Sequence, residues 1–326
     1  MRRREFIGLI AGAAAWPVAA RAQHTVIPVI GWMSITSAGR YADRVVVFRE
    51  GLKEVGLVEG QNVTIEYRWA DDHHERLPEL AAELVARQVA VIVTGGGTHT
   101  ALAAKTATTT IPIVFTIAAD PVRAGLVRSL SRPAGNITGI GGLTDMLITK
   151  RLEMLTELVP NASNVGALLN PSNPNSKNRL DDLRAAARVF GREIRLMGAS
   201  SGGELDNAFV TAAAQGVQAL VVQNDALFSS LPDQVAALAM RYRLPAIFEN
   251  HEDAAAGGLM SYGPSWRERY RLLGNYTGRI LKGEKPRDLP IVQPAKFELV
   301  INLKTARAFG LTVPPTMLTR ADELIE

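Results

Sequence analysis

The sequence predicts an α/β protein made of two successive units of parallel sheet and helix. Short apolar, β-branched runs alternate with amphipathic stretches from Val26 to Phe248, the signature of open parallel sheets. Runs such as Val89–Val93 are apolar at nearly every position, as strands buried on both faces are. The alternation lapses around Pro133–Gly142 (PAGNITGIGG) and then starts again. No residue-level repeat links the halves, so their likeness is architectural.

In the first unit Val26–Met33 reads as a strand ending in the small polar loop Ser34–Gly39. Tyr41–Val55 reads as a helix whose apolar face is Val45, Val46, Phe48, Leu52 and Val55. Asn62–Trp69 alternates as a strand, Leu77–Arg87 is an Ala/Leu-rich helix, and Ile113–Ile117 is a third apolar strand. Between the last two lies Gln88–Lys105, in which Val89–Val93 stops at Thr94-Gly95-Gly96-Gly97-Thr98 and an Ala-rich helix begins. Strand, glycine turn and helix start bring free backbone N–H groups and the positive end of a helix dipole together. The turn is either a seat for a carboxylate or other anion, or a tight βα connection without a ligand. Open sheets bind ligands at the carboxyl ends of their strands, here Ser34–Ser37, Thr94–Thr98 and Ala118–Asp120.

The second unit repeats the rhythm: helix Lys150–Leu158, strand Val165–Asn170, helix Asn178–Phe190, strand Glu193–Leu196 and helix Glu204–Ala214. Strand Ala219–Gln223 ends at Asn224-Asp225, helix Leu231–Tyr242 follows, and strand Pro245–Phe248 ends at Glu249-Asn250. Gly257–Tyr262 is a short strand, and Ser265–Leu281 a long helix stopped by Gly283 and Pro286. The tail holds an extended run, Phe297–Ile301, and a helix near Lys304–Phe309.

Composition narrows the function. The chain has 326 residues, long enough for two domains, and a formal charge of +4. Its first 22 residues hold four Arg and one Glu, leaving 32 basic against 31 acidic residues in the remainder. That balance gives no electrostatic case for nucleic acid or an anionic membrane. With no cysteine, disulfides, thiolate nucleophiles, Cys-ligated zinc and an N-terminal lipid anchor are excluded. His73-His74 are the one adjacent His pair, read as a solvated helix start rather than a metal site. Thr94–Thr98 lacks the Lys that a P-loop requires, and no G-x-G-x-x-G follows the first strand. No cofactor is expected, and enzymatic function has no positive support.

Met1–Gln23 (MRRREFIGLIAGAAAWPVAARAQ) has a basic head, a short apolar core and an A-x-A cleavage signal at Ala20–Ala22. Arg3-Arg4-Glu5-Phe6-Ile7 is similar to the twin-arginine export signal, an Arg-rich secretory signal being the alternative. Residues 1–22 are therefore expected to be an export signal cleaved near Ala22, leaving a periplasmic chain not embedded in the membrane.

Short strings then carry a resemblance along almost the whole chain: Ile111–Phe115, Asp120-Pro121-Val122, Gly125-Leu126-Val127, Asn136–Gly139, Gly258–Gly263, Ile280–Gly283, Asn302–Ala306 and Arg320-Ala321-Asp322. In this order they resemble the substrate-binding proteins of ABC uptake systems, in the subfamily related to tryptophan- and tyrosine-binding proteins. The resemblance implies a type I periplasmic-binding fold: two Rossmann-like lobes with parallel sheets, joined by three hinge crossings and closing on a ligand. The lobes are expected at 23–140 plus 263–291 and at 141–262 plus 292–326, with crossings near Gly139–Thr144, Ser261–Pro264 and Pro290–Pro294. Many relatives are lipoproteins, whereas this cysteine-free chain is expected to diffuse freely, as a monomer.

The implied role is capture of an amino acid, aromatic acid or similar carboxylate for an ABC permease in the inner membrane. The alternative is a ligand-sensing partner of a membrane signalling protein. The first lobe is expected to contribute Ser34, Thr36, Gly96, Gly97, Thr98 and Asp120, with Gly97 and Thr98 donating to a carboxylate. Asp120 either receives an ammonium or caps a turn before Pro121. Asn224, Asp225 and Glu249 are expected from the second lobe, or else are solvated loop residues. Tyr262 stacks on an aromatic ligand or packs the hinge, and Trp32 and Trp69 are read as core.

Overall fold

The computed structural model describes residues 27–141, 147–294 and 297–326. The predicted export segment and its cleavage point lie outside the described residues, as do residues 142–144 of the first predicted crossing.

The first unit runs β1 (Val29–Ser34), α1 (Ala42–Glu54), β2 (Thr64–Trp69), α2 (Leu77–Ala86), β3 (Val91–Thr94), α3 (Thr98–Ala107), β4 (Ile113–Thr116) and β5 (Ile137–Ile140). Its strands form one parallel sheet in the order β2-β1-β3-β4-β5. One face is packed by Phe48 and Leu52 of α1, the other by Leu80, Leu84, Ala101 and Ala104 of α2 and α3. Covering both faces is what demands the apolar strands: β3 and β4 are buried at every position. Trp32 is fully buried in this core and Trp69 packs against it, as expected.

The second unit runs α4 (Ile148–Leu158), β6 (Asn164–Leu169), α5 (Ser176–Val189), β7 (Glu193–Gly198), α6 (Leu205–Ala214), β8 (Ala219–Val222), α7 (Ala226–Ser229), α8 (Pro232–Arg241), β9 (Ala246–Phe248), α9 (His251–Ala255) and β10 (Met260–Pro264). The chain then returns to the first unit as α10 (Trp266–Leu281). Ser265 caps this helix by accepting from Glu268 N. Gly51 and Gly274 let α1 and α10 touch backbone to backbone: a Cβ at either would lie within about 2 Å of the other helix's carbonyl. The tail closes the second sheet with β11 (Phe297–Asn302), α11 (Leu303–Ala308), α12 (Pro315–Arg320) and β12 (Glu323–Ile325). That sheet has seven strands in the order β12-β11-β10-β9-β8-β6-β7.

Several features correct or add to the expectation. Pro133–Gly142 does not simply interrupt the pattern, because it contains β5, the edge of the first sheet. A Cβ on Gly139 would meet Phe115 O at 2.2 Å, so the glycines that disguise this strand are what let it pack. Regular structure does not lapse at Ser261–Pro264 either: those residues form β10 and pair antiparallel with β11. The return from the first sheet supplies that partner, a long-range pairing that local pattern does not reveal. At the third predicted crossing Val292 is fastened to β5, with Gly141 N donating to Val292 O and Val292 N to Gly139 O. Finally, α12 and β12 lie beyond the last helix that the sequence pattern predicts, near Lys304–Phe309. Among the described residues no helix is long and apolar enough to cross a membrane.

Candidate functional site

Counted within its own unit, the first sheet has the strand order 2-1-3-4-5 and the second 2-1-3-4-5-6-7, so each has one switch point where neighbouring connections leave in opposite directions. A crevice opens there beyond the carboxyl ends of the strands. In the first sheet it lies between the ends of β1 and β3, Ser34 and Thr94; in the second, between the ends of β6 and β8, Leu169 and Val222. The two crevices face each other, and the cleft between them is lined from both sides.

The wall on the first side is the glycine turn. Gly95 is pressed on Trp32, where a Cβ would come within 2.4 Å of the indole, and Gly96 on Ile35 N at 2.5 Å and Ser34 Oγ at 3.0 Å. Gly97 has φ 85° and ψ −163°, a conformation essentially restricted to glycine. A Cβ there would have no neighbour within 4 Å. The first two glycines therefore serve packing, and the third turns the chain on the cleft side. No side chain caps α3, so its first-turn N–H groups are available at the cleft.

Opposite stand Asn173, Asn224 and Asp225, with Arg179 behind them. Asp225 caps α7 by accepting from Leu227 N at 2.9 Å, and also accepts from Asn170 Nδ2 (3.1 Å) and Asn173 Nδ2 (2.6 Å). Arg179 donates to the backbone oxygen of Asn224. The lobes are drawn together by Asn175 Nδ2 donating to Thr98 Oγ1 at 2.8 Å, Arg40 to Ser230 Oγ at 2.9 Å and Arg44 to Ser229 O at 3.3 Å. The Arg123–Asp182 ion pair adds a fourth link at 3.1 Å.

The cleft comprises two adjoining pockets of about 480 and 420 Å³, mouths included, which share Gly97, Ala118, Asn224 and Ala226. One holds Asp72, His74, Thr98, His99, Asn173, Arg179 and Asp225. His99 packs on His74 with ring centroids 4.2 Å apart. Burial, and secondarily the charge of His74, hold its imidazole below the usual value. The other pocket holds Tyr41, Arg44, Thr116, Asn250, Trp266, Arg269 and Tyr270.

The predicted residues divide into groups. Gly96, Gly97, Thr98, Asn224 and Asp225 line the cleft. Ser34 and Thr36 are fully buried just behind it, with their hydroxyls 3.4 Å apart, and Ile35 between them lines the cleft. Asp120 lines neither pocket; its carboxylate accepts from Val122 N (2.7 Å) and Arg123 N (3.2 Å), the turn-capping role. Glu249 is buried between Arg151 (3.2 Å) and Arg269 (3.7 Å). Tyr262 packs beside Phe297, with centroids 6.3 Å apart. His73 bonds Glu75, whereas its neighbour His74 turns into the cleft. Sequence reasoning missed Tyr41, Arg44, His99, Asn250, Trp266, Arg269 and Tyr270. The helical ones sit in the first two turns of α1, α3 or α10, where a polar or aromatic residue reads as an ordinary amphipathic position.

Comparison with known proteins agrees with this architecture. The family model described as ABC transporter substrate binding protein matches residues 33–325. A tyrosine-binding protein of Clostridioides difficile (strain R20291) is 29% identical over 264 residues, 81% of this chain and 75% of that one. Among solved structures, a conserved domain protein from Vibrio cholerae superposes with a TM-score of 0.85 at 26% identity, covering 91% of this chain and 99% of that chain. An ABC domain in complex with L-Trp from Streptococcus pneumonia superposes with a TM-score of 0.83 at 25% identity and the same coverage.

Proposed function

We propose that this chain, which belongs to the family of ABC transporter substrate-binding proteins and has the type I periplasmic-binding fold, captures a small organic carboxylate between its lobes and presents it to an ABC permease. The reading places the working protein in the periplasm, after removal of residues 1–22. The ligand classes considered are amino acids, aromatic acids and similar carboxylates.

The observation that carries this reading is the opposition of two switch-point crevices across one cleft. The uncapped start of α3 stands on one side and Asn224 on the other. Backbone N–H groups of Gly97 and Thr98 and the Thr98 hydroxyl are assigned to the carboxylate. Thr98 Oγ1 accepts from Asn175 and still has its own proton to donate. Ser34 and Thr36 support the turn from behind, and Asp225 orders the opposite wall. Asp120, Glu249 and Tyr262 are assigned structural roles. The tyrosine-binding name of one relative and the L-Trp complex of another support a small carboxylate-bearing ligand. Closing two lobes on such a ligand needs no chemistry, only a hinge that absorbs backbone change.

Thermal melts of the purified protein with a panel of amino acids and organic acids test the reading. A ligand at about a hundred times its Kd stabilises the folded state by about 2.7 kcal/mol, a readily measured rise in Tm. A panel in which no amino acid and no organic acid moves the transition contradicts the proposal.

A further inference from the structure

Arg44 lies on α1 in the wall of the second pocket and is 9% exposed. Its guanidinium sits 4.7 Å from the centroid of the Tyr41 ring and 5.1 Å from that of Trp266. One nitrogen reaches Ser229 O on the other lobe. Among the described residues no carboxylate comes within ion-pair distance of it; Glu252 and Asp253 act on its charge from farther away. A buried cation with no counter-ion is unfavourable unless something supplies the charge.

Glu252 and Asp253 favour the charge from a distance, but no carboxylate meets the guanidinium within the pocket. None of the residues lining this pocket is acidic. Arg269, on the same wall, faces Glu249, but that carboxylate is shared with the buried Arg151. The two acids of the adjoining pocket are engaged: Asp72 with Arg40, and Asp225 with Asn170, Asn173 and Leu227 N. A ligand ammonium would have to compete with those donors, while a ligand carboxylate meets donors in surplus. The aromatic side chains do not alter this balance. Arg44 covers Tyr41, and Arg44 and Arg267 both lie over Trp266, the latter at 5.1 Å, so these rings serve guanidinium groups rather than a free stacking platform.

We propose that Arg44 is the ligand's counter-charge, and that the ligand is an organic acid with a carboxylate and no ammonium group, not an α-amino acid. The inference rests on the cleft being the ligand site, as set out above. The carboxylate sits in the pocket that Arg44 and Gly97 both line, and it neutralises the guanidinium as the lobes close.

Calorimetric titration with pairs sharing one carbon skeleton tests it: phenylpropionate against L-phenylalanine, isocaproate against L-leucine, and glutarate against L-glutamate. In any pair that binds, the acid without the amino group should be the tighter by about tenfold or more. Arg44→Gln should weaken that acid by about tenfold or more, and Arg44→Lys, which keeps the charge but not the planar fork, by less. Melting curves of both variants establish that they fold. An amino acid that binds as tightly as its partner, or tighter, overturns the inference and leaves the proposed function standing. Wild-type affinity in folded Arg44→Gln overturns the role of Arg44. Absence of binding by every member of every pair at about 1 mM, the weak end of specific binding, together with a thermal panel in which no amino acid and no organic acid acts, overturns both readings.

Discussion

Replacing Gly97 by alanine isolates the glycine turn. At φ 85° and ψ −163° an L side chain is strained by about 1–3 kcal/mol. The added methyl meets nothing within 4 Å, so no clash contributes. Loss of glycine's freedom in the unfolded chain offsets about 0.4–1 kcal/mol, leaving a net loss of roughly 1–2 kcal/mol and a fall in Tm of a few degrees. The strain can be relieved only by rotating the peptide groups on either side. Gly97 O holds Ala101 N at 3.2 Å and Gly97 lines the cleft, so relief disturbs the wall proposed to hold the ligand. Gly56 is the control, with φ 77°, no neighbour for a Cβ and a place at the exit of α1, away from the cleft. Thermal melts and ligand titrations of Gly97→Ala and Gly56→Ala should show both proteins destabilised and only the first losing affinity. Unchanged stability and affinity in Gly97→Ala would refute the turn geometry and its role together.

Three further outcomes follow from the side chains. Glu249→Gln removes the carboxylate shared by Arg151 and Arg269 and should cost about 3–5 kcal/mol in denaturant unfolding; a loss below about 1 kcal/mol would mean the cluster is not the buried ion pair described. Asn175→Ala removes the buried bond to Thr98 Oγ1 that links the lobes, worth about 0.5–1.5 kcal/mol. Ligand affinity should fall roughly two- to tenfold with the ligand-free protein more open in small-angle scattering, and identical profiles would contradict the link. Burial pushes the Asp253 carboxyl from 3.8 up to about 7, against the opposing pull of its hydrogen bonds with Asn250. Its protonated form therefore favours folding, and this contribution is lost as pH rises from about 4 through 7. Asp253→Asn should flatten that part of the stability profile, and parallel profiles for the two proteins would contradict it.

Much of the fold was legible because buried parallel strands must be apolar throughout and their helices must be one-faced. β1, β3, β4, β6 and β8 announce themselves in this way. β5 was hidden by the glycines that allow Gly139 to approach Phe115, and the β10–β11 pairing by the distance between its partners along the chain. The site was half legible. Turn residues such as Gly97, Thr98 and Asn224 could be found because strand ends mark the crevice. Arg44 and Trp266 could not, since a cation or aromatic residue on an amphipathic helix gives no sign of which neighbour it will meet. Asp120 and Glu249 also lie at strand ends, but backbone donors claim the first and two arginines the second.

The central claim is that ligand is held between the two switch-point crevices. A crystal structure of the protein grown with the carboxylate that raises its Tm most tests this directly. Density is expected in the cleft, in contact with Gly97 and Thr98 from one lobe and Asn224 from the other, with the carboxylate turned toward Arg44. A stabilising ligand found outside the cleft, with the Gly97 and Asn224 walls untouched, would contradict it.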